Sequence, residues 1–171
     1  MRVLALIPAA VAGAFVFNGA AHAAPVKVAA FDFELYDTSL EGDMQGKRQD
    51  QTDKIDHLST QIRDFLKSKD IEVVDVAPAK ADIGAQVLRT CGRCPADIAA
   101  KLGADYSLMG YVQKVSNLIL NINVEIRNTK TGEVVRKGST DIRGNTDESW
   151  KHGAGYLMRN QILEQPLQPA S

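Results

Sequence analysis

The sequence predicts an α/β domain: a single mixed sheet of about five strands, in the order β-α-β-(α)-α-β-β-β-α, with helices packed on the sheet. Three observations predict it. Between residues 26 and 76 an apolar stretch, an amphipathic helical stretch and a second apolar stretch follow one another, as in a strand–helix–strand unit. From Tyr106 to Arg143 three strand-like segments run consecutively through a hairpin turn. A capped, partly apolar helical segment then closes the chain before Pro166.

Taken in order, Val26 to Leu35 reads as the first strand, apolar on both faces at its start like a central strand covered by helices. Tyr36 to Gln51 is polar, contains Gly42 and Gly46, and shows no apolar period, which predicts a mobile surface loop. Asp53 to Lys69 is the clearest helix. Ile55, Leu58, Ile62, Phe65 and Leu66 form one stripe, with acidic residues in the first turn and lysines in the last, as the helix dipole favours. Ile71 to Val76 is a short strand, and Ala79 to Arg89 a weak helix.

Pro95 suits the first turn of a short helix, with Ile98, Ala99 and Leu102 on one face and Gly103 as its stop. Tyr106 to Val115 is the next strand, with Leu108, Gly110 and Val112 on one side. Leu118 to Arg127 alternates apolar and polar residues, Asn128 to Gly132 is the hairpin turn, and Glu133 to Arg143 returns as an edge or wet-faced strand. Asn145 reads as the cap of the last helix, with Glu148 completing a capping box. Residues 165–171 should fray.

The chain has 171 residues with 20 basic and 21 acidic side chains. Its balance argues against nucleic-acid binding, which needs a basic face, and against polybasic attachment to a membrane. Residues 1–23 read as a secretory signal peptide: Arg2 begins it, Val3 to Phe17 is apolar, and Ala21-His22-Ala23 supplies small residues at the cleavage site. Residues 24–164 then form a single exported α/β domain, periplasmic or secreted, with no membrane span in the mature chain.

Phe31-Asp32-Phe33 on the first strand and Ala99 to Gly110 are similar to envelope domains of the TolB amino-terminal type, as in the curli secretion channel and lipoproteins that activate peptidoglycan synthases. The runs Lys114 to Leu120 and Arg143 to Trp150 resemble a family of predicted secreted bacterial proteins of unknown function. The fold-level resemblance implies binding and assembly roles in the cell envelope. Neither resemblance supplies a catalytic residue.

Cys91-Gly92-Arg93-Cys94-Pro95 is the best chemical candidate. A helix N-terminus and Arg93 would favour a thiolate, the ingredients of thiol–disulfide exchange. A small structural disulfide is the plainer reading for exported cysteines. The motif follows no predicted strand directly, and no histidine succeeds Cys94 for a haem link. Arg143, Asn145, Asp147, Glu148 and Trp150 form the second candidate, a helix start able to hold an anion or a protein partner; a cap with an adjacent turn explains the same residues.

Asp43, Asp50, Asp53 and Asp56 lack the spacing of a calcium loop, His57 and His152 lack zinc-ligand spacing, and no catalytic triad order or phosphate-binding glycine loop occurs. No cofactor or metal is expected. The leading expectation is a non-enzymatic periplasmic accessory protein that binds a protein partner in the envelope. A thiol–disulfide redox protein and a small-ligand carrier are the alternatives.

Overall fold

The computed structural model describes residues 24–169, so the predicted signal peptide lies outside the described residues. Among those residues one six-stranded mixed sheet forms, ordered β3-β1-β4-β5-β6, with β2 joined to β4 beyond the end of β1. The strands are β1 (Lys27–Ala30), β2 (Glu34–Asp37), β3 (Glu72–Val73), β4 (Tyr106–Lys114), β5 (Ile119–Asn128) and β6 (Val134–Arg143). β1 pairs in parallel with β3 and β4, β2 in parallel with β4, and β4, β5 and β6 form an antiparallel meander.

The first expected strand is thus two. β1 runs beside Tyr106 to Leu108 and β2 beside Tyr111 to Lys114. In an unbroken strand Phe31 and Phe33 would point to one face. Instead Phe31 enters the cluster with Ala29 and Met109, while Phe33 joins the larger core with Leu58 and Val112. The break at Asp32 lets both rings bury on opposite sides of the sheet. Phe33 donates its amide to Ser59 Oγ (2.9 Å), and a Cβ at Gly110 would lie 2.3 Å from its ring. Gly110 is therefore the space the ring occupies.

α2 (Gln49–Lys67) and α5 (Asp147–Leu157), which runs on into a π-helical turn (Met158–Ile162), pack on one face of the sheet. Ile55, Leu58, Ile62 and Leu66 meet Leu108, Val112, Leu120, Ile122, Trp150 and Leu157 there. Phe65, expected in the stripe, is only partly buried. On the other face α3 (Lys80–Gly84) and α4 (Cys94–Lys101) accompany a smaller core of Ala29, Phe31, Leu88, Ile98, Ala99 and Met109. The weak helix expected at 79–89 is a 3-10 turn (Ala77–Ala79) leading into the five-residue α3.

One expectation is corrected. Residues 36–51 are not a loop: β2 reaches Asp37, α1 (Leu40–Gln45) follows, and α2 starts at Gln49. α1 buries none of its six residues, so no apolar period marked it; the Ser39 hydroxyl accepts from Gly42 N–H and caps it instead. Past Pro166, where fraying was expected, Leu167 is buried and the Tyr106 hydroxyl donates to the Gln168 carbonyl (2.8 Å).

Candidate functional site

Strand alternation places Lys114 on the same face of β4 as Leu108 and Val112, which faces α2 and α5. Its side chain is 1 % exposed. Nζ donates to Glu41 Oε2 of α1 (2.9 Å) and to Asp37 Oδ2 of β2 (3.2 Å). Asp37 also accepts from the Ser39 amide and hydroxyl, and the Thr38 amide donates to the Lys114 carbonyl (2.8 Å). One buried ammonium therefore ties the start of α1 to the end of β4.

The network continues through Glu41. Asn117 Nδ2 donates to Glu41 Oε2 (2.9 Å), and Arg48 forms ion pairs with both Glu41 and Asp50. Asn145 Nδ2 lies 3.1 Å from both Asn117 Oδ1 and Gln51 Oε1, while its Oδ1 accepts from Trp150 Nε1 (3.0 Å). Gln51 Nε2 returns to Asp50 Oδ2 (2.8 Å) and closes the circuit. Segments from β2, α1, α2, the β4–β5 turn and the start of α5 all meet here.

Charge follows from this geometry. Burial alone would raise the Asp37 carboxyl, but the hydrogen bonds from Ser39 and Lys114 outweigh it and hold the group below its ordinary value. Lys114 and Asn117, both donating to Glu41, lower that carboxyl too. Lys114 would lose proton affinity through burial, yet its two acidic partners raise it above the ordinary lysine value. All three groups are held in their charged forms.

Exposed apolar side chains stand beside this frame. Leu40 and Met44 of α1 are 74 % and 78 % exposed, and Leu118 in the β4–β5 turn is 72 % exposed. Val115 and Ile119 beside it are about half exposed. The Glu41–Asn117 and Thr38–Lys114 bonds join the two segments that carry these side chains. An adjoining cleft of about 540 Å³ is lined by Phe33, Leu35, Ile55, Val87, Arg48 and Arg89, among others.

The sequence candidates fall in two places. Cys91 and Cys94 are joined as a disulfide, and both pack against the smaller core, with Cys94 opening α4. Arg93 pairs with Asp97 one turn on. Arg143, Asn145, Asp147, Glu148 and Trp150 share the α5 start but not a surface. Trp150 is 3 % exposed and Asn145 sits in the circuit above. Asp147 pairs with Lys54, Glu148 lies 3.7 Å from His152, and Arg143 ends β6 exposed beside Ile119.

The expected cap is corrected: Thr146, not Asn145, caps α5, and Ser149, not Glu148, completes the box. Asn145 has its side-chain groups committed to Trp150, Asn117 and Gln51, which leaves the cap to its neighbour.

Asp37, Glu41, Gln51, Lys114 and Asn117 were absent from the candidates. Lys114 did leave a signal, an ionisable residue in phase with the apolar side of a strand. Its partners left none, because they lie in the stretch that lacks apolar periodicity. Among the described residues no group of three or more His, Cys, Asp or Glu side chains is placed to hold a metal ion, and no helix is long and apolar enough to cross a membrane.

Fold and site together define a helix-backed mixed-sheet domain with a buried ion-pair circuit at one end of its sheet. Residues 26–162 match the DUF3280 family, described as a protein of unknown function (DUF2380), and the chain belongs to that family. No curated protein matches it. Among solved structures it is similar to the LpoB C-terminal domain from Escherichia coli, at 16 % identity and a TM-score of 0.49 over 74 % of this chain and 88 % of that one. It is also similar to lipoprotein GNA1162 from Neisseria meningitidis, at 12 % identity and a TM-score of 0.48 over 72 % and 84 % of the two chains. The PelC dodecamer from Paraburkholderia phytofirmans gives 15 % identity and a TM-score of 0.48 over 78 % and 84 %.

Proposed function

We propose that the protein is a non-enzymatic accessory domain of the bacterial cell envelope, exported to the periplasm, that docks a protein partner through α1 and the β4–β5 turn. One observation carries the reading: exposed Leu40, Met44 and Leu118 lie on two segments fixed to each other by the buried Lys114 circuit. Apolar side chains concentrated on a rigid, polar-rimmed frame mark protein interaction sites. Each charged group of the circuit has a partner of opposite sign, and such pairing suits a scaffold better than proton transfer. The leader-like residues 1–23 and the resemblance to TolB amino-terminal domains support the location.

Thiol–disulfide exchange at Cys91–Cys94 is the second reading, favoured by the place of Cys94 at the start of α4. It ranks lower because both sulfurs brace the smaller core.

The test is affinity capture from periplasmic extract, comparing the native protein with Leu118→Asp and Leu40→Asp. A protein recovered by the native chain should be lost with both variants while their melting transitions stay unchanged. Equal recovery by the variants, or no specific recovery by the native chain, overturns the reading.

A further inference from the structure

β6 is the last strand of the sheet, and among the described residues no other strand pairs with its outer edge. The Gly144 amide donates to the Leu118 carbonyl, so in this antiparallel ladder the even-numbered residues of β6 turn their backbone groups to β5. Lys137, Ser139 and Asp141 turn theirs outward. The Ser139 amide is held by Gln161 Oε1 at an exposed position (3.2 Å). Apart from the Ser139 amide and the Val135 carbonyl, which accepts from Arg136, the outward backbone groups of this ten-residue strand are free of strand partners among the described residues, a template for strand addition.

The side chains of the same three residues lie on the face of the sheet away from α2 and α5, where Lys137 Nζ is 3.7 Å from Glu125 and Asp141 accepts from Asn121 (2.8 Å). Edges guarded against pairing carry charged side chains, lysine above all. Arg136, Lys137 and Arg143 give β6 such charges, but at the outward-turned positions on either side of Ser139 the charges are opposite, Lys137 and Asp141.

We propose that β6 pairs antiparallel with β6 of a second copy of this chain, about a two-fold axis through Ser139, joining the two sheets into one. Charge selects the register. With the axis at Ser139, each Lys137 stands opposite Asp141 of the other copy, twice by symmetry. Moving the axis to Thr140 sets Lys137 against Arg143, and moving it to Gly138 sets Asp141 against Val135. The strand residues at the centre of the chosen register, Gly138, Ser139 and Thr140, are small, and the side chain that must swing away is Gln161, which lies against Gly138 and the Ser139 amide. Forming it exchanges the single Gln161 bond for a backbone ladder. The inference goes beyond the docking of a different protein through α1 and uses other residues.

Sedimentation equilibrium of the purified protein should show a monomer–dimer equilibrium. Lys137→Asp and Asp141→Lys should each weaken it about tenfold by setting like charges opposite one another, and the combined exchange should restore it. Ser139→Cys is the independent arm. Hydrogen-bonded antiparallel partners stand about 5.5 Å apart at Cα, within disulfide reach, so mild oxidation should give a covalent dimer on a non-reducing gel. A chain that stays monomeric up to millimolar concentration, or a dimer that the new cysteine does not cross-link, overturns the proposal.

Discussion

The helix that precedes β4 opens on a corner closed by a covalent bond between residues three positions apart, and β4 ends on a lysine held by side chains from two distant segments. The first corner is local throughout: Cys91, Arg93, Cys94 and Asp97 bond to residues within a few positions of themselves. The second is assembled from residues separated by as many as 94 positions, as between Gln51 and Asn145. A short covalent loop removes little freedom from the unfolded chain. A buried charge, by contrast, is tolerable only while its partners are in place. The difference teaches that the plainest motif in this chain is bonded over short range, and that the end tied by long-range bonds is the one that presents the apolar surface.

The comparison is broken most directly at Lys114. Lys114→Ala removes the centre of the circuit and leaves Asp37 without its cation, and chemical denaturation should show a loss of about 3 kcal/mol. A loss under about 1 kcal/mol would make the two ends equivalent.

Acid sharpens the same contrast. The Asp37 and Glu41 carboxyls are lowered in the folded state, so their contribution is present above their ordinary values and is lost as pH falls through the lowered ones. Lys114 is raised, so its contribution is lost only as pH climbs past the ordinary lysine range. Protection of the α1 amides, relative to their intrinsic exchange rates, should therefore fall below about pH 4, with protection in α4 unchanged. Equal loosening of both would separate the circuit from α1.

The smallest effect belongs to the covalent corner. Replacing Cys91 and Cys94 together by serine should cost no more than about 2 kcal/mol, the chain-entropy value for so short a loop. Thermal melting of the double variant measures it. A larger loss would show that the corner carries more of the fold than its contacts indicate.

How much was legible follows from how each feature is encoded. The stripe Ile55, Leu58, Ile62 and Leu66 and the alternation from Leu120 to Ile126 repeat with the period of their own elements, so the helix and the strand could be read locally. α1 was missed because a six-residue helix that buries nothing leaves no stripe. The division of the first strand was missed because Phe31 and Phe33 look in phase until opposite cores claim them. The site was half legible. Lys114 to Leu120 and Arg143 to Trp150 stood out as strings, but the bonds from Lys114 to Glu41 and from Asn145 to Gln51 span 73 and 94 positions.

By itself, then, the sequence determined the α/β class, the order of the main elements, the meander and the proximity of the two cysteines, because each rests on periodicity or adjacency along the chain. Tertiary structure alone decided which acids would meet Lys114 and which apolar residues would stay outside. Those outcomes depend on the pairing of β2 with β4 and the seating of α5 on the sheet, and long-range closure of that kind leaves no local period to read.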